Sequence, residues 1–159
     1  MLDEWTCGLT LPPDEDLMYG VTGYEDHAYA ADYDPWAHAG LLDIPVVHRD
    51  LPTSEMVAAY SHEHRAIFIR NHLRTATERC ALAHEIVHAE HRDIGMTRDQ
   101  EERADRIAAR RLIRPRHLAA AHETTSDPAT VALELGVTSR IMEAWHRAMM
   151  HGYYGRRWA

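Results

Sequence analysis

The sequence predicts an α+β fold, a small antiparallel sheet packed on a helical core, with a helical hairpin at the C-terminus. Three observations predict it. Met56–Ser61 and Arg65–Arg70 are two runs with β-branched, aromatic and Ala content on either side of the polar turn Ser61-His62-Glu63-His64, and they read as a hairpin of strands. Beyond Asn71 the apolar period lengthens to that of helices, punctuated by Gly, Pro and capping residues. At 159 residues the chain suits one domain with a modest core. Within it we distinguish an acidic leader (1–36), a core (37–124) and a helix-turn-helix-like hairpin with its tail (125–159).

Residues 1–48 contain ten acids and no Arg. Since the whole chain has 17 basic and 25 acidic residues, the remainder carries 17 − 15 = +2, and the formal charge of −8 belongs to the N-terminal part. The leader reads as an acidic tail that steers a basic partner, as a lid over a cleft, or as a solvated segment packed loosely on the domain. The last reading asks least of the sequence. A short helix is expected over Ala37–Leu42, then a strand over Asp43–Arg49, where Pro45 suits an edge position. With the hairpin this strand completes the sheet.

Asn71 to Arg74 links the sheet to a helix for which Thr75 or Thr77 offers a cap. From Cys80 to Ala89 every residue except His84, Glu85 and His88 is apolar, so this helix is expected to be buried nearly all round. Asp93 to Met96 reads as a turn, with Gly95 suited to the helix C-terminus. Thr97 and Gln100 have capping-box spacing, so a new helix starts near Arg98, with Ala104, Ile107, Ala108 and Leu112 as its apolar stripe. A short helix follows over Arg116–His122, then a polar break over Thr124–Asp127. Pro128 opens another helix, Gly136 a turn, and Ser139–Met150 the last helix, with Ala132, Ile141 and Trp145 placed for packing. DNA binding is one reading of this pair. Against it, the last helix offers only Arg140 and Arg147 as bases in an acidic chain, so cover for the core is favoured. The aromatic and basic tail Tyr153–Trp158 suits docking on the domain or on a partner.

The chemistry lies in His84-Glu85-Ile86-Val87-His88. Residues four apart share one helical face, so two imidazoles can reach one metal ion while Glu85 stands beside it. With 13 His and 13 Glu the pattern would arise by chance in roughly one such chain in twelve, so context decides. Ionisable groups on a buried helix cost several kcal/mol unless partnered, and a metal partners two imidazoles; bonds to backbone carbonyls are the alternative. On the next helix Glu101 falls about 50° from the apolar stripe and Glu102 about 150°, so Glu101 points inward as third ligand, or else pairs with an Arg at the surface. Asp105, one turn on, is placed to accept the free ring N–H of a ligand His. His84, His88 and Glu101 would thus hold Zn²⁺, with Glu85 as general base. His91 lies about 10 Å along the axis from His84, too far for one ion. His62, Glu63 and His64 read as a turn tip rather than a second cluster. Tyr60, His72 and arginines near the cleft are candidates for stabilising an oxyanion.

Residues 65–115 resemble the ImmA/IrrE family of metallopeptidases. The resemblance rests on the strand RAIFIR, on H-E-x-x-H, on Glu101, Ala104, Asp105 and Ala108 in the pattern E-x-x-A-[N/D]-x-x-A, and on the ending Leu112-Ile113-Arg114-Pro115. Arg103 and Arg114 depart from the usual pattern, and neither is a proposed ligand. The resemblance implies a zincin-type active-site helix, an edge strand that pairs with extended substrate, and cleavage or control of a helix-turn-helix (XRE-type) repressor in a prophage, mobile element or stress response. The rival expectation is a non-catalytic, antirepressor-like regulator that binds its partner and uses metal for structure alone.

No window approaches eighteen apolar residues and the N-terminus is acidic, so neither a membrane span nor a signal peptide is expected. Two distant cysteines, Cys7 and Cys80, suit the cytoplasm. All 17 basic residues are Arg, which suits a GC-rich bacterial genome or a phage of such a host.

Overall fold

The structure is a computed structural model that describes residues 32–155, with side chains through residue 151. The readings of the leader before Asp32 and of the tail side chains from Tyr153 onward lie outside the described residues. The fold is α+β, with six helices and three short strands among the described residues: α1 (Pro35–Leu41), β1 (Val46–His48), β2 (Ala58–Ser61), β3 (Ala66–Ile69), α2 (Thr75–His91), α3 (Arg98–Leu112), α4 (Pro115–Thr124), α5 (Pro128–Glu134) and α6 (Ser139–Gly155).

The sheet is mixed rather than antiparallel, which corrects the expectation from sequence. Strand order is β1-β3-β2. β2 and β3 form the expected hairpin, with Tyr60 opposite Ile67, but β1 runs parallel to β3, with Val46 opposite Ile67. The chain leaves β1, crosses to the far edge as β2 and returns between them as β3. Two edges result. β1 is preceded by Pro45, whose carbonyl accepts the Ile67 N–H at 2.9 Å. On β2, Val57 O accepts from Arg70 N, so by antiparallel alternation Ala58 and Tyr60 turn their backbone groups outward.

α2 lies between two cores. Cys80 and Ala83 join a cluster with α3, α4, α5 and α6, while Leu82 and Ile86 join a cluster with α1 and the sheet. With two sides of the helix apolar, only a narrow third face carries His84, Glu85 and His88. No side chain caps α2, whose N-cap is Arg74, so neither Thr75 nor Thr77 serves as expected. The helix ends just before the expected turn, but its left-handed stop is Arg92, at φ 53, while Gly95, at φ 78, shapes the turn that follows. The capping box forms as read, with Thr97 and Gln100 bonding reciprocally at the start of α3. Gly136, at φ 62, lets the chain turn from α5 into α6. Ala132, Val137, Ile141 and Trp145 are buried in the same cluster as Ala108 and Leu112, so α6 is held against α3.

Candidate metal centre

α2 brings His84 and His88 to one face, and α3 brings Glu101 across from them. The two Nε2 atoms are 3.0 Å apart. Glu101 Oε2 lies 3.3 Å from His84 Nε2, and Oε1 lies 3.2 Å from His88 Nε2. Zinc bound tetrahedrally at about 2.0–2.1 Å would separate neighbouring ligand atoms by about 3.3 Å, so the spacing suits that ion. Among the described residues, these three are the group whose ligand atoms converge closely enough to hold a metal.

The far side of each ring explains why the near side needs a cation. His84 Nδ1 lies 2.9 Å from Asp105 Oδ1, and His88 Nδ1 lies 2.8 Å from Asp93 Oδ2. A carboxylate accepts, so each Nδ1 carries the proton and each Nε2 is left with a lone pair. Two lone pairs and a carboxylate then point at one small volume. These groups repel one another unless a positive centre lies between them, and the donor set of two imidazoles and one carboxylate is that of a catalytic zinc site.

The braces are themselves held. Arg103 Nη2 donates to Asp93 at 2.5 and 2.7 Å, and Gln100 Nε2 donates to its Oδ1 at 3.3 Å. Arg140, on α6, donates from Nε to Asp105 at 3.0 Å and from Nη2 to Glu101 Oε2 at 3.3 Å. Burial works to raise both aspartates' pKa values, but the imidazole and guanidinium contacts hold each below the ordinary carboxylate range. Burial works to lower the pKa of His84, yet the Asp105 bond and the neighbouring carboxylates leave it raised.

Glu85 projects from α2 toward the outer edge of β2. Its Oε2 accepts the Tyr60 N–H at 2.7 Å. Burial raises its pKa above the usual carboxylate value, partly opposed by the two imidazoles and the Tyr60 N–H. Such a carboxylate is a better proton acceptor than an exposed one.

The structure thus brings together His84, His88, Glu101 and Asp105, with Glu85 alongside. Asp93 was missed, because a turn aspartate gives no sign that it faces a histidine three-dimensionally adjacent to it. Arg103, read as a departure that touches no ligand, holds Asp93. Arg140, weighed as a DNA contact, is turned toward two carboxylates of the site. His91 bonds to the Val87 carbonyl at 2.9 Å and stays apart from the cluster. His62, Glu63 and His64 form the turn between β2 and β3, with Ser61 Oγ at 2.9 Å from His64 Nδ1. Of the oxyanion candidates, Tyr60 reaches the site through its backbone, and among the described residues His72 makes no side-chain hydrogen bond or ion pair.

Residues 39–144 match the model of peptidase family M78, described as the IrrE N-terminal-like domain. The chain belongs to this family. Members are metallopeptidases, and the matched span contains every residue of the site described above. Comparison with curated proteins and with solved structures finds no match.

Proposed function

We propose that this M78 protein is a zinc endopeptidase with a zincin-type active-site helix, and that it cuts a peptide bond in a helix-turn-helix repressor of XRE type. One observation carries the hydrolytic reading: three lone-pair donors converge beside a carboxylate, Glu85, that is not one of them. His84, His88 and Glu101 would hold the ion. Zinc there would acidify water toward neutrality and polarise a carbonyl oxygen. Glu85 takes the proton from water and delivers it to the leaving amine, and its raised pKa suits both transfers. The Tyr60 N–H orients that carboxylate. Apart from the Tyr60 N–H, which Glu85 holds, the outward backbone groups of β2 offer an extended peptide a strand to pair with, which would lay a scissile bond across the site.

The choice of a repressor as substrate rests on family likeness. A cytoplasmic setting accords with it, and among the described residues no helix is long and apolar enough to cross a membrane. Direct DNA binding is disfavoured by Arg140, whose guanidinium is engaged by Asp105 and Glu101. A purely structural metal would leave Glu85 without a task.

Metal content by elemental analysis is the first test. We expect about one zinc per chain, with Glu101→Ala losing most of it. Next, the purified protein is mixed with a purified helix-turn-helix repressor of XRE type. Cleavage should require zinc, stop with chelator, and fall by at least 10²-fold in Glu85→Gln while zinc content is unchanged. Full biological activity in a Glu85→Gln protein that cleaves nothing would instead support the partner-binding regulator.

A further inference from the structure

Next to the proposed active site is a second concave feature, a cavity of about 400 Å³ between β2, the end of α1 and the last turn of α2. Its apolar wall is Leu42, Ile44, Tyr60 and Ala89. Ala89 stands four residues beyond Glu85 on the same helical face, about 6 Å along the axis. Tyr60, whose N–H holds Glu85, lines the cavity as well. An extended peptide advances about 3.3 Å per residue, so the cavity lies about two residues from a bond at Glu85.

Arg65 and Arg92 also line this cavity. Both residues are exposed, and among the described residues neither guanidinium has a hydrogen-bond or ion-pair partner. Glu90, the acid in the same wall, cannot serve them, because Arg111 holds both its oxygens at 2.9 and 3.2 Å and His38 lies 3.2 Å away. Both arginines also have left-handed backbones, at φ 48 and φ 53, where Gly or Asn would be easier. The cavity therefore has an apolar wall and, at its solvent-exposed rim, two guanidiniums with no carboxylate of the described chain to pair with.

We propose that this cavity is a specificity pocket that takes an acidic side chain of the peptide substrate, about two residues from the scissile bond. The proposal rests on the peptidase reading for its substrate but not for its chemistry. The methylene of an Asp or Glu lies against Tyr60 and Ala89, and its carboxylate meets Arg65 and Arg92. A neutral amide of the same shape leaves those cations unpaired and binds less well.

The test uses the full chain as Glu85→Gln, zinc-loaded and immobilised, to select from a randomised octapeptide display library. Retained sequences should be enriched in Asp and Glu over Asn and Gln at one position, by fivefold or more. Arg65→Gly with Arg92→Gly should abolish that enrichment. Glycine suits both backbones, so this variant is expected to fold at least as well as its parent. Arg65→Glu with Arg92→Glu should turn the preference toward Lys and Arg at the same position. Absence of acid enrichment, enrichment that survives the glycine pair, or acid enrichment spread evenly over all positions overturns the pocket. Digestion of the same library by the wild-type chain tests the peptidase reading separately: no cleavage, with acid selection intact, sinks hydrolysis and leaves the pocket standing.

Discussion

The two histidines of the site are braced alike but from different parts of the chain. On the His88 side, Asp93 and Arg103 come from the α2–α3 turn and from α3, within fifteen residues of the imidazole they support. On the His84 side, Asp105 sits on α3, but Arg140 arrives from α6, thirty-five residues further on. The first brace is local and closed, with Asp93 7% exposed and Arg103 29%. The second is longer-range and half open, with Asp105 10% exposed and Arg140 59%. One metal would therefore be held by a half that forms with the helical hairpin of α2 and α3, and by a half that also needs α6 in place. That difference makes α6 part of the site although it supplies no ligand.

Removing a carboxylate brace should have the largest effect and should expose the asymmetry. Metal affinity falls about 10- to 100-fold when the group that orients a ligand His is lost. We expect Asp93→Ala at the upper end, because it also strands the partly buried Arg103 cation, and Asp105→Ala lower, because Arg140 can turn to solvent. Competition with a chromophoric chelator measures both. Equal losses would mean that the origin of a brace does not matter.

The arginines should follow with smaller effects in the same order. Arg103→Ala removes a charge-assisted pair from a largely buried carboxylate and should cost about 1–3 kcal/mol in denaturant unfolding. Arg140→Ala removes a half-exposed cation, where solvent screening leaves about 1 kcal/mol or less. Its loss should be greater with chelator than with zinc, because in the metal-free protein Arg140 faces Glu101 and Asp105 as their cation, whereas zinc supplies positive charge itself. An Arg140→Ala penalty that is the same with and without zinc would break this account.

How much of this could be read in the sequence follows from the range of each interaction. The helix carrying His84 and His88, the capping box at Thr97 and the inward turn of Glu101 and Asp105 all arise from spacings under about ten residues, which helical periodicity encodes. The parallel pairing of β1 with β3 depends on where a nine-residue connection puts β2, and strands of three or four residues have too little pattern to specify it. Asp93 sits in a turn, where no period says which way a side chain faces. Arg140 reaches the site through packing of α6 on α3, a contact between residues distant in sequence. The turn after α2 was legible, but its left-handed residue was not: Gly95 is the usual stop, yet Arg92 takes that conformation at the helix end.

The smallest predicted effect sharpens the comparison most, because it acts on one brace without touching either. Cys80, a buried free thiol on α2, accepts the Thr138 N–H at 3.4 Å, and Thr138 Oγ1 in turn accepts the Ile141 N–H at 3.4 Å at the start of α6. This contact fixes α2 to the helix that carries Arg140. Burial raises the thiol's pKa above its ordinary value, and the Thr138 bonds only partly offset that, so it should react with a thiol reagent at neutral pH only after unfolding. The sign for stability follows: in the unfolded chain the thiol ionises near pH 8.5 while the folded one stays neutral, so its contribution is intact below that pH and is lost as pH rises above it. Cys80→Ala leaves a small void and should cost about 1 kcal/mol, flattening the alkaline fall in stability. If α6 positions Arg140 through this contact, Cys80→Ala should also weaken zinc binding a few-fold in the wild-type background and not at all in Arg140→Ala. The same variant should leave the effect of Asp93→Ala unchanged, because that brace does not pass through α6.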